Sequence, residues 1–266
     1  MTSGYVLDLD GTVYRGEELI PGADEAIAAL RTRGRKLLFV SNKPLCSRRD
    51  YAQKLTRLGI PTAEEDVINS SLVLARHLAR EAPGARVFAI GEPPLLDELA
   101  RAGLRLTEDP SQVEYVIAAF DRTFDYRKLE VAFQALRRGA RFYATNPDRT
   151  CPVEDGEIPD AAAVIAALEA TTGRRVEDVF GKPSRHMVGF ALASLGLPPD
   201  RCAMVGDRGE TDVRMAKENG LVAILTLTGV TRRGDLGALA VQPDHVIESL
   251  AELPELDQKL NEGGGR

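Results

Sequence analysis

The sequence has no tryptophan, and aromatic residues make up only 5% of its 266 residues. It also lacks a run of lysines and arginines, and its 34 basic and 40 acidic residues give a formal net charge of -6. Nucleic-acid-binding proteins usually carry basic patches, so we expect no nucleic-acid partner. No apolar run reaches the roughly 20 residues of a membrane helix, so we expect no membrane partner either.

Cysteine is scarce as well, and Cys46, Cys151 and Cys202 are far apart in the sequence. Since no Cys-x-x-Cys motif occurs, we expect neither a metal cluster nor a redox pair of cysteines. An odd number of cysteines and no visible targeting segment favour a reducing, cytoplasmic location. The length suffices for one large domain or two small ones with a core that needs no disulfide.

Strand and helix patterns alternate along the chain. Apolar strand patterns at Tyr5–Leu7 and Lys36–Val40 are each followed by helical spacing of apolar residues, and the rhythm returns at Cys202–Val205 and Val222–Leu227. This alternation predicts an α/β fold with a doubly wound parallel sheet.

The middle of the chain carries a separate set of strand and helix patterns. It follows Pro83-Gly84, a plausible linker. We therefore predict an inserted α/β domain at residues 83–177, with residues 1–82 and 178–266 forming the main domain.

Two carboxylates follow the first predicted strand, in Asp8-Leu9-Asp10-Gly11-Thr12. Side chains two residues apart in an extended chain point to one side, so Asp8 and Asp10 would lie close together. Close carboxylates repel each other, which favours binding of a hard divalent cation. A carboxylate can also attack phosphorus to form an aspartyl-phosphate. Taken alone, the segment fits a solvated acidic turn equally well.

Ser41 and Asn42 follow the second predicted strand, and Lys182 precedes a helical pattern. The hydroxyl and amide could donate to phosphate oxygens, although both residue types also suit a helix N-cap. A lysine at a helix start opposes the helix dipole, which a bound anion would relieve. An ordinary surface lysine is the alternative.

A fourth polar segment follows the strand pattern Cys202–Val205, with Asp207 at the strand end and Asp212 five residues later. These carboxylates also fit an acidic helix N-terminus. Because the carboxyl ends of parallel strands meet at one edge of a sheet, we expect all four segments to lie together. A carboxylate cluster needs a cation, and a cation with a lysine makes a phosphate site.

These segments together resemble the four motifs of the haloacid dehalogenase superfamily. The matching motifs are, in order, Asp8-x-Asp10-Gly11-Thr12, Ser41-Asn42, Lys182 and Gly206-Asp207-x-x-x-x-Asp212. The insertion resembles the α/β (type C2) cap of the NagD-like subfamily, on the segments Asp121-Arg122, Tyr126-x-Lys128-Leu129 and Thr145-Asn146-Pro147-Asp148. The resemblance spans nearly the whole chain.

The resemblance implies a phosphatase that uses Mg²⁺. Asp8 would attack phosphorus and bind the metal. Asp10 would protonate the leaving oxygen and then activate water, and its backbone carbonyl would also bind the metal. Asp207 would supply the remaining carboxylate ligand, and Asp212 would orient the water shell of the metal. Phosphoryl transfer by positioning and charge neutralisation agrees with these roles.

Substrate binding is implied for further residues. Ser41, with Asn42 beside it, and Lys182 would hold the phosphoryl group. In the NagD-like cap the loop that carries Asn146 and Asp148 faces the active site, so we expect these two residues to contact the leaving group of the substrate. Lys43 stands where the subfamily often has Asn, and this added cation leaves the substrate preference open.

The expected function is hydrolysis of a small phosphorylated metabolite, such as a sugar phosphate or a nucleotide, through an aspartyl-phosphate intermediate. A phosphotransferase or mutase with the same chemistry is the alternative. Haloacid dehalogenation is disfavoured because Asp10 supplies an acid that it does not need. A non-enzymatic phospho-receiver is disfavoured by the length and the insertion. Whether the chain forms a homo-oligomer stays open.

Overall fold

The computed structural model describes residues 1–153 and 156–262. Its chain divides into two compact units. Unit 1 comprises Met1–Ser41, Arg48–Ile68 and the chain from Lys182 onwards, and unit 2 comprises Asn42–Ser47 and Asn69–Gly181. Among the described residues, no helix is both long enough and apolar enough to cross a membrane.

Strands and helices alternate through both units. The strands are β1 (Gly4–Asp8), β2 (Tyr14–Arg15), β3 (Glu18–Leu19), β4 (Lys36–Ser41), β5 (Val67–Asn69), β6 (Arg86–Ile90), β7 (Arg105–Leu106), β8 (Tyr115–Ala118), β9 (Arg141–Ala144), β10 (Thr150–Val153), β11 (Gly156–Pro159), β12 (Asp178–Val179), β13 (Cys202–Gly206), β14 (Val222–Thr226) and β15 (His245–Ile247). The α-helices are α1 (Ala23–Thr32), α2 (Arg48–Arg57), α3 (Ser70–Glu81), α4 (Pro93–Arg101), α5 (Tyr126–Arg137), α6 (Ala161–Thr172), α7 (Arg185–Leu195), α8 (Arg214–Glu218) and α9 (Leu253–Glu262).

Unit 1 is built on a six-stranded sheet in the order β15-β14-β13-β1-β4-β5. The pairings from β15 through to β4 are parallel. The chain moves outwards from β1 in one direction through β4 and β5, and in the other through β13, β14 and β15. The predicted parallel α/β sheet is thereby confirmed, and its strand order reverses beside β1, where open α/β sheets bind ligands.

Both faces of the central strand β1 are covered. Tyr5 and Leu7 pack on one side in a core with Ile27 and Leu30 of α1, and Val6, which points to the other side, is also fully buried. A strand buried on both faces is typical of a parallel sheet between two helix layers. This burial holds the carboxyl end of β1, and hence Asp8, in a rigid frame.

Unit 2 contains a second parallel sheet in the order β12-β9-β8-β6-β7. This unit includes three segments outside the predicted insertion at residues 83–177, namely Asn42–Ser47, residues 69–82 with helix α3, and residues 178–181. In α3, the ring of His77 lies 4.8 Å from that of Phe180 and 6.3 Å from that of Tyr143, measured between centroids. These contacts join α3 to strand β9. No local sequence pattern predicts this packing.

Candidate active site

The carboxyl ends of three neighbouring strands bring polar residues to one edge of the unit 1 sheet. In the parallel register Asp8 lies opposite Val40, so Ser41 is one residue beyond Asp8 along the edge. Leu7 lies opposite Val205 of β13, and Asp207 follows two residues later, directly after the end of that strand. Asp8, Ser41 and Asp207 are all buried, and the Ser41 hydroxyl donates to Tyr51 Oη at 3.3 Å.

A tight turn follows β1. Gly11 has a φ of 90°, a backbone conformation that residues other than glycine rarely adopt. Its amide donates to the carbonyl of Tyr14 at 2.7 Å, and the amide of Val13 donates to Leu9 at 2.8 Å. The turn leaves Asp10 partly exposed to solvent. Its carboxyl group can therefore exchange protons with a bound substrate or with water.

Lys182 comes from the chain before α7 and is buried in unit 1, with 4% of its side chain exposed. Its Nζ forms ion pairs with Asp8 and, at 2.7 Å, with Asp212. Burial lowers the pKa of the lysine, but the charges of Asp212 and Asp8 outweigh burial and raise its pKa above the ordinary value. Lys182 is therefore a permanent cation next to Asp8.

Asp212 lies in a π-helical turn, Gly209–Val213, that follows β13. Its side chain reaches back so closely to the backbone of Gly206 that a Cβ at this glycine would overlap it. The amide of Arg208 donates to Asp212 Oδ2 at 3.0 Å. The glycine of the Gly206-Asp207 motif is thus required by the approach of Asp212, and π-helical turns are common at functional sites.

The side chains of Asp8, Asp207 and Asp212 form a buried cluster whose ligand oxygens lie within 4.8 Å of one another. Burial and the charges of Asp8 and Asp212 raise the pKa of Asp207 well above its ordinary value. Asp207 Oδ1 is buried and has no hydrogen-bond partner among the residues that the structure describes. An all-oxygen donor set with an unsatisfied carboxylate oxygen fits a hard divalent cation such as Mg²⁺. The Asp10 side chain lies outside this cluster.

In unit 2, the predicted loop residues form a hydrogen-bonded network. Asn42 Nδ2 donates to Asp148 Oδ2 at 2.8 Å, and Asn146 Nδ2 donates to Asp148 Oδ2 at 2.8 Å and to Asp160 Oδ1 at 3.0 Å. Asn146 is fully buried, whereas Asp148 is partly exposed. Burial raises the pKa of Asp160, while the Asn146 bond and the charge of Lys43 oppose this rise. Of the two residues predicted to contact the substrate, Asp148 is accessible at the surface, and buried Asn146 fixes its carboxylate through a hydrogen bond.

Comparison with known proteins agrees with this geometry. Residues 5–105 match the family described as haloacid dehalogenase-like hydrolase, and residues 179–253 match the family described as HAD-hydrolase-like. The chain is 38% identical to the sugar-phosphatase AraL of Bacillus subtilis over 257 residues, which cover 97% of this chain and 94% of that protein.

The chain belongs to the haloacid dehalogenase-like hydrolase family.

Solved structures place this haloacid dehalogenase-like hydrolase among the NagD-like phosphatases. A p-nitrophenyl phosphatase from Archaeoglobus fulgidus superposes with a TM-score of 0.92 at 37% identity, covering 96% of this chain and 99% of the other. NagD from Escherichia coli superposes with a TM-score of 0.87 at 28% identity, covering 95% and 98%. A glycerol phosphate phosphatase from Mycobacterium tuberculosis, solved in complex with magnesium, superposes with a TM-score of 0.88 at 32% identity, covering 95% and 76%. The protein is accordingly a phosphoric monoester hydrolase.

The structure of this hydrolase also contains site residues that sequence reasoning missed. The segment Thr228–Thr231 contacts both Asp207 and the turn after β1. Its signal was a Thr-Gly-Val-Thr sequence directly after a predicted strand, at the same sheet edge. Asp160 was missed too, although an aspartate before an alanine-rich helical pattern is a typical N-cap. It caps α6 by accepting from the amide of Ala161.

Proposed function

We propose that the protein is a magnesium-dependent phosphatase that hydrolyses a small phosphomonoester, a sugar phosphate or a nucleotide, through an aspartyl-phosphate on Asp8. The observation that carries the proposal is the buried cluster of Asp8, Asp207 and Asp212 with Lys182 paired to two of its members. The family relationship and the names of the relatives support the same activity.

In the first step, a carboxylate oxygen of Asp8 attacks phosphorus, and the bond from phosphorus to the ester oxygen breaks. Asp10 gives its proton to the departing oxygen, so that the product leaves as an alcohol. In the second step, Asp10 takes a proton from a water molecule that attacks the phosphorus of the aspartyl-phosphate. Asp8 is released with inorganic phosphate. The partial exposure of Asp10 next to buried Asp8 supports this division between acid and nucleophile.

Charge neutralisation would come from both protein and metal. Lys182 and the Ser41 hydroxyl would hold the phosphoryl oxygens. Asp8, Asp207 and the backbone carbonyl of Asp10 would bind Mg²⁺, and Asp212 would orient its water ligands. Bound Mg²⁺ would supply positive charge against the phosphoryl group, which is where charge is concentrated during phosphoryl transfer. The unpartnered Oδ1 of Asp207 supports the assignment of this residue as a ligand.

Substrate choice would depend on the inserted unit. We propose that it serves as the cap that excludes water during the reaction, with Asn42 and Asp148 as contacts to the substrate and Asn146 as the residue that orients Asp148. The hydrogen bonds from Asn42 and Asn146 to one carboxylate oxygen of Asp148 support this arrangement. The name of the Bacillus subtilis relative favours sugar phosphates as the first class to test.

The test is a phosphate-release panel of sugar phosphates, nucleoside monophosphates and p-nitrophenyl phosphate. Each reaction is run with MgCl2, with EDTA, and with EDTA followed by excess MgCl2. We expect turnover with Mg²⁺, its loss in EDTA and its recovery on adding metal. Full activity in EDTA would contradict the metal site, and transfer of phosphate to an added sugar without release of inorganic phosphate would indicate a phosphotransferase.

A further inference from the structure

The loop after β14 contacts each of the acidic segments at the sheet edge. Its residues 228–231 read Thr-Gly-Val-Thr. Thr228 Oγ1 donates to the carbonyl of Gly11 at 2.6 Å, in the turn that follows Asp8 and Asp10. The amide of Thr231 donates to the carbonyl of Asp207 at 3.1 Å. This four-residue segment therefore ties β14 to both β1 and β13 beyond the ends of those strands.

The same segment determines which oxygen of Asp207 is available. The amide of Val230 donates to Asp207 Oδ2 at 2.6 Å. Oδ1 of the same carboxylate is buried and has no hydrogen-bond partner in the described part of the chain. The backbone of the loop thus engages one oxygen and leaves the other for a cation.

Two glycines allow the backbone to approach this carboxylate from different segments. A Cβ at Gly11 would lie 2.7 Å from Asp207 Oδ2, and a Cβ at Gly229 would overlap the carboxylate outright. Gly229 does not have the positive φ that would itself exclude other residues. Its lack of a side chain is therefore explained by the space that Asp207 occupies.

Thr231 extends the contact to Asp212. Its Oγ1 accepts from the amide of Gly209 at 3.2 Å, at the first residue of the π-helical turn that carries Asp212. Thr231 is buried, with 6% of its surface exposed, so this bond is shielded from water. Thr231 thereby links the backbone of Asp207 to the first residue of the turn that carries Asp212.

We propose that residues 228–231 are positioning residues for the metal site. They hold Asp207 by Oδ2 so that Oδ1 is the ligand oxygen, and they fix the position of Asp212 relative to Asp207. This inference rests on the proposed function, because it presupposes that the cluster binds Mg²⁺. It adds to that function a set of residues outside the four motifs. Partners that orient metal ligands typically change metal affinity about 10- to 100-fold when they are altered.

The first experiment compares two glycine substitutions in the same stretch of chain. Gly229→Ala places a methyl group against Asp207. Gly234 is exposed, and a Cβ at this position would have no heavy atom of another segment within 4 Å, so Gly234→Ala is the control. Both are glycines without a positive φ. Titration of each protein with MgCl2 by calorimetry should show an increase in Kd of about tenfold or more for Gly229→Ala and no change for Gly234→Ala.

The second experiment removes one hydrogen bond without adding bulk. Thr231→Val deletes the acceptor for the Gly209 amide, and Thr231→Ser restores it. We expect Thr231→Val to weaken Mg²⁺ binding by several-fold to tenfold, with phosphate release recovering as MgCl2 is raised, and Thr231→Ser to bind Mg²⁺ as the wild type does.

The outcomes separate the two proposals. If the wild type shows no heat of Mg²⁺ binding and no Mg²⁺-dependent release of phosphate, the proposed function is wrong. If the wild type binds Mg²⁺ and Gly229→Ala and Thr231→Val bind it equally well, the positioning role is wrong. Should Gly229→Ala not fold, the difference between the valine and serine variants decides the question, since a merely structural hydroxyl would leave the Mg²⁺ affinity of the folded variants unchanged.

Discussion

Replacing Asp207 with asparagine should make the metal-free protein more stable while abolishing its response to Mg²⁺. The three carboxylates of the cluster lie within 4.8 Å of one another and are buried. At an effective dielectric constant of about 20, two unit charges about 5 Å apart repel by about 3 kcal/mol. Lys182 offsets part of this repulsion, and so does proton uptake by Asp207, whose pKa is raised. We therefore expect a net gain of about 1–2 kcal/mol in the free energy of unfolding.

The assay is thermal unfolding in EDTA and in MgCl2. For a chain of this length about 1 kcal/mol corresponds to about 2–4 °C, so Asp207→Asn should raise Tm in EDTA by about 2–8 °C. The wild type should gain about 2.7 kcal/mol at 100 times its Kd for Mg²⁺, which is about 5–10 °C. The variant should gain far less, because the amide that replaces the carboxylate carries no charge.

Asp200→Asn is the matched control, since Asp200 is exposed and outside the cluster. Its Tm should follow that of the wild type in both buffers. The reasoning is refuted if Asp207→Asn lowers Tm in EDTA, or if this variant gains as much from Mg²⁺ as the wild type does. A lower Tm in EDTA would mean that the charged carboxylate stabilises the metal-free fold, and an equal gain from Mg²⁺ would mean that Asp207 does not bind the metal.

Four further outcomes are expected. Asp8→Asn should release no phosphate above background in steady-state assays while keeping its circular dichroism spectrum, because the amide cannot form the covalent intermediate. Asp10→Asn should slow the first step much more for alkyl phosphates than for p-nitrophenyl phosphate, whose leaving group needs little acid assistance; equal damage in burst kinetics would argue for a structural role. Asp148→Ala should change kcat/KM by different factors for different sugar phosphates and little for p-nitrophenyl phosphate, and a uniform loss would argue against substrate contact. Asp257→Ala should lower the free energy of unfolding by about 3–5 kcal/mol, because this buried carboxylate accepts from Tyr5 and pairs with two arginines. Glu255→Gln is the control, and it should leave the stability nearly unchanged because its ion pair with Lys259 is exposed to water.

Much of the sheet could be predicted from local pattern. The strands Arg86–Ile90, Tyr115–Ala118 and Arg141–Ala144 occur with the limits that their apolar runs indicate. Continuous apolar runs flanked by turn residues identify buried parallel strands because both faces of such strands lie against helices. The helix α3 shows the opposite case. It begins after Asn69, in the sequence Asn69-Ser70-Ser71, which has the spacing of a glycosylation site as much as that of a helix start. In the structure the Asn69 side chain caps the helix by accepting from the amide of Leu72.

The candidate site could likewise be predicted only in part from the sequence. Asp8 and Asp207 could be predicted to lie together because both end strands, and strand ends meet at one edge of a parallel sheet. The contact of Lys182 with Asp212 could not, because it depends on how a π-helical turn and the chain before α7 approach each other. Nor could the burial of Asn146, which depends on Asp160, fourteen residues away in sequence.

The environment of Lys182 has a practical consequence for chemical labelling. Acylating reagents attack neutral, accessible amines, and this amine is neither, since it is buried and its charge is held by Asp8 and Asp212. Lys259, with 66% of its side chain exposed, should react far sooner. Biotin or a fluorophore can therefore be coupled through surface lysines, and the protein immobilised on a sensor chip, without touching the amine next to Asp8. Conversely, acylation of Lys182 found by mass spectrometry would identify molecules whose acidic cluster has come apart.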